Sequence, residues 1–268
     1  MKTRLNELTW KQAREYFKSN DTVLFPVGCI HAHDHIAMGV DNESATYISE
    51  EVARRTGVVT LPCLNFGWMA HYTDFPGTLD VMSETLKDLV LQVVVQLKKW
   101  GVNKVIFING HGGNLGYLEE VVLDMREMGM FGPIVEWWKL AREITVDLNA
   151  EACIDEVPPP NRQTIRGTET AFALGISESL VDRENIHLIH DVNILGDHFE
   201  MKGFQGFTFE NGTITMPMKV REVSREGSRV DGPSLETSQA MVQRVVDYIV
   251  DFTKAFSEVE VPARPSFD

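Results

Sequence analysis

Two short apolar runs, each ending in a cluster of polar side chains that a hydrophobic core cannot use, constrain this chain more than any other feature. Val23-Leu24-Phe25-Pro26-Val27 leads into His31, His33, Asp34, His35 and Asp41, five metal-ligand side chains within eleven residues. Lys104-Val105-Ile106-Phe107-Ile108 runs straight into Asn109-Gly110-His111-Gly112-Gly113-Asn114, a glycine-rich turn with one histidine in it. Unbroken apolar runs of this length bounded by turn residues read as strands buried on both faces, the kind found in parallel sheets. Open α/β sheets place their sites beyond the carboxyl ends of such strands, where both clusters fall. If the first cluster is extended, alternate side chains share a face, so His31, His33 and His35 are predicted to point the same way. A solvated edge strand and a satisfied turn histidine are the structural alternatives. Coincidence at two strand ends argues against them and for a cation.

The rest of the chain supports an α/β fold. Thr9 is placed to cap a helix through Phe17, Thr22 to Val27 is a strand, Glu43 to Arg55 a helix and Val58 to Pro62 a short strand. From Ser83, Leu86, Leu89, Val90, Val93, Val94 and Leu97 recur at helical spacing until Gly101. A strand from Lys104 to Ile108, a helix from Leu115 to Met128 and a strand from Pro133 to Trp137 follow. This order predicts one mainly parallel sheet with helices on both faces. Asn211-Gly212 between Phe207–Glu210 and Thr213–Met216 predicts a late antiparallel hairpin, and Leu235 to Phe256 a long final helix. Residues 1–268 are expected to form one domain. Glu151 to Arg166, with Pro158-Pro159-Pro160 at its centre, reads as a lid or subunit-contact loop rather than a linker.

Composition narrows the setting. A net charge of −14 opposes binding to nucleic acid or an anionic membrane through a basic surface. Cys29, Cys63 and Cys153 are far apart and odd in number, which points to a reducing compartment. No stretch approaches the ~18 apolar residues of a membrane span, and Met1 to Asn6 has no apolar core. A cytoplasmic, soluble protein is expected.

In five segments the chain resembles the creatininase (creatinine amidohydrolase) family of metal-dependent hydrolases. Pro26 through His35 to Asp41 is similar to the family's Pro-x-Gly-x-x-Glu-Gln-His-Gly-x-His…Asp signature, and Asn109 to Asn114 to its Asn-Gly-His-Gly-Gly-Asn turn. Phe66 to His71 with Phe75-Pro76-Gly77-Thr78-Leu79, then Gly167-Thr168-Glu169-Thr170, then Arg225 to Ser234 follow in the family's order. The resemblance implies a creatininase-like fold, a homo-oligomer (a hexamer) and a two-metal site. In that site His31, Asp41 and His111 would hold one ion, and His33, Asp41 and Glu169 the other. A bridging Asp41 would bring the ions to roughly 3.5 to 4 Å, with a metal-bridged hydroxide as nucleophile. Glu169, His71, His35 and Asp34 are the candidate catalytic residues. Asp34 and His35 could support the ligands or shuttle protons. His71 could contact substrate or be a plain loop histidine. His31 could instead sit behind a single ion, and Glu169 could be a carboxylate at a helix N-terminus.

Departures from the family pattern carry information of their own. His31 stands where the family has a glutamate, which removes one negative charge and shifts preference toward Zn²⁺ or Fe²⁺ and away from Mg²⁺. Two Zn²⁺ ions are the first expectation, with Mn²⁺ or Fe²⁺ as alternatives. Gln163 to Arg166 lacks a histidine common in the family, and Gly113 replaces a glutamate of creatininase itself. The resemblance therefore implies hydrolysis of a small polar cyclic amide or related carbonyl compound rather than creatinine. A ring-opening C–C hydrolase of a cyclic diketone such as 3-dehydro-scyllo-inosose is one alternative, and a non-catalytic metal-binding scaffold another. Trp68, Trp137 and Trp138 read as core or interface. His187, His190 and His198, with Asp191 and Asp197, read as a solvated loop.

Overall fold

A computed structural model describes residues 2–148 and 165–262. Its centre is a four-stranded, all-parallel sheet of β1 (Thr22–Val27), β2 (Val59–Thr60), β3 (Lys104–Asn109) and β4 (Ile134–Glu136) in the order β2-β1-β3-β4. The register pairs Thr22 with Lys104 and Val27 with Asn109. The two strands expected to carry the polar clusters therefore lie side by side and end together.

The pleat divides the core into two layers. Leu24, Ile106 and Ile108 face one way and pack on α2 (Val40–Thr56), α5 (Trp137–Ile144), α6 (Ile165–Ile176) and α8 (Leu235–Ser257). Val23, Phe25, Val27, Val105 and Phe107 face the other way, against α3 (Ser83–Lys99) and α4 (Leu115–Glu127), with Tyr16 and Phe17 of α1 (Trp10–Phe17) at the margin. Both faces being covered explains why these strands read as unbroken apolar runs. Thr9 caps α1 through a reciprocal capping box with Gln12. The buried stripe of α3 is narrower than its spacing implies, because Leu89 is exposed while Leu86, Val90, Val94 and Leu97 are buried. Lys104, buried in β3, bonds the carbonyls of Ser257 and Val259 at 2.6 and 2.9 Å and pairs with Asp21, fixing the end of α8 to the sheet.

Several expectations need correction. β4 stops at Glu136, and Trp137 opens α5 instead of ending the strand; its ring stacks on Phe172 at 4.1 Å in the core. His187–Asp191 is not a solvated loop but β5, paired antiparallel with β9 (Ser224–Arg229), which takes up much of the Arg225 to Ser234 segment. The hairpin is shifted by one residue. β7 (Gly206–Phe209) and β8 (Gly212–Thr215) turn through Glu210 and Asn211, with Phe209 opposite Gly212 and Glu210 at φ 53. β6 (Phe199–Met201) completes that small sheet, and α7 (Val220–Val223) links it to β9. Of the expected lid over 151–166, residues 151–164 lie outside those described, as does Cys153. No described helix is long and apolar enough to cross a membrane.

Close backbone contact locks α2 to the strand ends. A Cβ at Gly110 would sit 2.1 Å from the Asp41 carbonyl oxygen, and one at Gly28 would lie 2.8 Å from the Asn42 backbone nitrogen. Backbone atoms cannot move aside as a flexible side chain can. Gly110→Ala is therefore expected to destabilise the protein by at least the ~1 to 3 kcal/mol typical of overpacking. Gly116→Ala, in exposed helix with nothing within 4 Å of its added carbon, should be neutral or stabilising. Equal urea midpoints for the two variants would contradict this account.

Candidate metal centre

Asp41 lies in the first turn of α2, beneath the joined ends of β1 and β3, where the positive end of the helix favours a carboxylate. Three imidazoles meet it. His31 Nε2 is 3.1 Å from Oδ2, His33 Nε2 3.1 Å from Oδ1, and His111 Nδ1 2.8 Å from Oδ2. All four side chains are at most 6% exposed.

The outer nitrogen of each ring is already committed. His31 Nδ1 donates to the Ala32 carbonyl at 3.0 Å, His33 Nδ1 to the His31 carbonyl at 3.0 Å, and His111 Nε2 to the Trp68 carbonyl at 3.0 Å. A carbonyl only accepts, so those nitrogens carry a proton, and in its neutral form each ring presents the lone pair of its inner nitrogen to the carboxylate. Acceptors facing acceptors repel unless a metal ion or a further ring proton lies between them. His31 Nε2, His33 Nε2 and Asp41 Oδ2 are buried and make no hydrogen bond of acceptable geometry, despite their short separations. Lone pairs converging on a shared point, with the far ring nitrogens bonded to carbonyls, are what a bound metal requires. Donor set and geometry both fit a divalent cation.

Two triads have donor atoms within 4.8 Å of one another among the described residues: His31, His33 and Asp41, and Cys29, Asp41 and His111. This grouping divides the donors differently from the family-based expectation. Cys29 was missed by sequence reasoning, although it precedes His31 by two residues and so shares its face in an extended segment. Glu169 belongs to neither triad, but its charge reaches His33. It is the fifth residue of α6, past the first turn, so the helix-terminus reading of this carboxylate fails.

The shared face predicted for His31, His33 and His35 is also corrected. Asp34 takes a left-handed conformation at φ 56, and the chain turns between His33 and Ile36. His35 is thereby directed to Thr170, its Nε2 2.8 Å from Oγ1, next to Glu169 on α6. Asp34 is exposed and lines an open cavity of about 500 Å³ with Phe75, Arg221 and Arg225. His71 lies outside both triads: its Nδ1 donates to the Met218 carbonyl at 2.9 Å, and its ring packs on Trp68 and Phe204. Tyr72, which no motif flagged, stands against the His31 ring at 5.0 Å and against Phe204.

The turn asparagines have a structural task. Asn114 donates to the Gly28 carbonyl at 3.0 Å and accepts from the Trp68 amide, while Asn109 Oδ1 receives the His111 amide at 3.1 Å. They tie the His111 turn to the end of β1. Thr78 and Leu79, from the Phe-Pro-Gly-Thr segment, brace the same loop by accepting from the Ala32 amide and bonding the Ile30 carbonyl.

A parallel α/β sheet with a buried carboxylate–imidazole cluster at its strand ends defines the class of protein. The family model described as creatinine amidohydrolase matches residues 6–253, and the chain belongs to the creatininase family. A creatinine amidohydrolase of Pseudomonas putida is 28% identical over 156 residues, which is 53% of this chain and 60% of that one. A 3-dehydro-scyllo-inosose hydrolase of Thermotoga maritima is 34% identical over 107 residues, 39% of this chain and 34% of that one. The matched regions thus span less than two thirds of either relative. Two solved creatininases, one a manganese form and one a mutant of zinc–zinc type, share the fold, each with a TM-score of 0.71. They are 20% and 19% identical, and each comparison covers 97% of this chain and 100% of the other.

Without metal the cluster is electrostatically divided. Burial opposes a charge on His33, but the Asp41 carboxylate outweighs it and raises the imidazole to about 9. Burial and the neighbouring His33 lower His31 to about 4. Burial also opposes the Asp41 carboxylate, yet His33 and His111 hold it well below the usual range. Stability contributed by His33 is complete below its ordinary value of 6.5 and lost as pH rises through about 9. The shifts of His31 and Asp41 act only at lower pH. In chelator-treated protein the urea midpoint should therefore fall between pH 6.5 and 9, and His33→Asn should flatten that fall. A midpoint independent of pH across this window in the wild type would contradict the pairing of His33 with Asp41.

Proposed function

We propose that the chain is a metal-dependent hydrolase of a small polar cyclic amide or related carbonyl compound, with a pair of divalent cations, zinc first, held around Asp41. One observation carries this reading: a buried carboxylate faces three imidazole nitrogens at 2.8 to 3.1 Å without hydrogen-bond geometry. When bound, two such cations lower the pKa of a water between them and polarise a carbonyl. The protein's own groups do the remainder. Asp41 offers both carboxylate oxygens, the ring N–H bonds to Ala32, His31 and Trp68 carbonyls fix the imidazole orientations, and Glu169 adds negative charge beside His33. His35, bonded to Thr170, couples this loop to α6. Asp34 lies on the cavity side, where an exposed carboxylate can meet solvent and substrate. The ring of Tyr72 stands against His31, with Phe204 packed behind it on Tyr72 and His71.

Elemental analysis of protein prepared without chelator is expected to give about two divalent ions per chain; fewer than about 0.5 would refute the two-metal reading. Asp41→Ala should lose both metal and turnover, whereas Asp34→Ala, exposed on the cavity side and in neither donor triad, should retain both ions. Retention of both ions by Asp41→Ala would show that the donors are misassigned.

Ring opening of a cyclic 1,3-diketone by C–C cleavage is a second reading, supported by likeness to the Thermotoga maritima hydrolase and by the sequence before Glu169. Gln163 to Arg166 contains no histidine to protonate a departing nitrogen, and His71 is bonded to the Met218 carbonyl. Acid assistance is commonly worth ~10² to 10⁴ in rate. Creatinine is accordingly expected to be a very poor substrate. Steady-state assays with Zn²⁺ or Mn²⁺ on creatinine, other cyclic amides and cyclic diketones separate the readings. Creatinine turnover on the order of 10 s⁻¹ or above would overturn this expectation.

A further inference from the structure

Cys29 is fully buried directly after the close-approach residue Gly28, and its Sγ is within 4.8 Å of both a carboxylate oxygen of Asp41 and a ring nitrogen of His111. A free buried cysteine is ordinarily a small core hydrophobe. Its surroundings here are polar. Asp41 Oδ2 is buried without a properly formed hydrogen bond, and His111 Nδ1 points at that oxygen from 2.8 Å. Three donors on one tetrahedral zinc at 2.0 to 2.3 Å lie roughly 3.3 to 3.6 Å apart, so a small closure of this triad completes a site.

We infer that Cys29 is a thiolate ligand of one of the two ions, sharing it with Asp41 and His111, while His31, His33 and Asp41 face the other. This rests on the two-metal reading above and goes beyond it by assigning a sulfur donor. Charge favours the assignment. Two divalent cations against the carboxylates of Asp41 and Glu169 leave two positive charges uncompensated in a buried site, and a thiolate removes one of them. Binding releases the thiol proton to solvent, as metal–thiolate formation requires. Sulfur also biases the site toward zinc or cobalt and away from manganese. Gly67 packs close against this residue, since a Cβ there would approach Cys29 Cβ to 2.9 Å.

Replacement of the metal by Co²⁺ tests both layers separately. Visible d–d bands report bound cobalt, and a near-ultraviolet thiolate-to-cobalt charge-transfer band reports sulfur coordination. The wild type should show both, and Cys29→Ser should lose the charge-transfer band while keeping d–d absorption. The double variant Cys63→Ser/Cys153→Ser leaves Cys29 as the sole thiol and should retain the band, which keeps the test decisive even if Cys29→Ser does not fold. Visible bands without charge transfer in the wild type would overturn the Cys29 assignment and leave the metal reading intact. A charge-transfer band that survives Cys29→Ser, or vanishes in the double variant, would overturn it as well. Failure of cobalt to give visible bands at all would remove the metal reading and this inference together.

Discussion

A carboxylate buried under three imidazoles is the constraint on which this structure turns. Asp41 cannot sit in a dry interior alone, and the imidazoles around it cannot all point their lone pairs inward without a cation. Meeting both demands requires β1 and β3 to end at the same level, α2 to begin immediately beneath them, and no side chain to intervene. The parallel register aligning Val27 with Asn109 satisfies the first, the start of α2 at Val40 the second, and the bare α-carbons of Gly28 and Gly110 the third. Carbonyls of Ala32, His31 and Trp68 then hold the rings from behind, so the polarity of the cluster is built into the backbone.

The hydrophobic layers serve this geometry by making the strand ends immobile. Leu24, Ile106 and Ile108 on one face, and Val23, Phe25, Val105 and Phe107 on the other, are at most 5% exposed and pinned between helices. Side chains carried just beyond such strand ends inherit their rigidity, which a metal site would need to within a fraction of an ångström. The later antiparallel pieces do a different task. Met218 receives His71, Phe204 packs on His71 and Tyr72, and Arg221 and Arg225 border the cavity beside Asp34. These contacts and the cavity are thus drawn from separate segments of the chain, while the cluster sits on the rigid sheet.

What the sequence revealed and what it hid follow from the range of the interactions. β1, β3, α1, α3 and α8 were legible because their apolar spacing, the Thr9 cap and the stop at Gly101 are local signals. His31, His33, Asp41 and His111 were legible because strand ends in parallel sheets gather their side chains. The turn of His35 toward Thr170 was not, since it depends on one left-handed residue, Asp34, and on a partner on α6. β5 and β9 escaped because charged residues such as His190, Asp191, Arg225 and Glu226 give no apolar alternation; their pairing is set by tertiary contact. The hairpin was found but misregistered, because Asn211-Gly212 is the stronger local turn signal and the paired strands instead place Glu210 and Asn211 at its tip. Cys29 was overlooked because one cysteine among apolar residues reads as core until its distance to Asp41 and His111 is known.

Metal and fold are thermodynamically linked in such an arrangement. In the metal-free cluster, one histidine is driven toward its neutral form and its neighbour toward its charged form by the same carboxylate and the same burial. A bound cation would replace that compromise with direct neutralisation, taking the place of the proton on His33, with the inner nitrogens as the groups that would hold it. Anything that binds the folded state and not the unfolded one adds to stability by mass action, so the polar seam that is a liability to the empty fold becomes a source of stability once filled. Substituting His31 for an acidic residue shifts this balance. It lowers the negative charge available to a cation pair, and among the described residues the groups near the cluster that could supply it are Asp41 at the centre, Glu169, whose charge reaches His33, and the thiol of Cys29 on the side of His111.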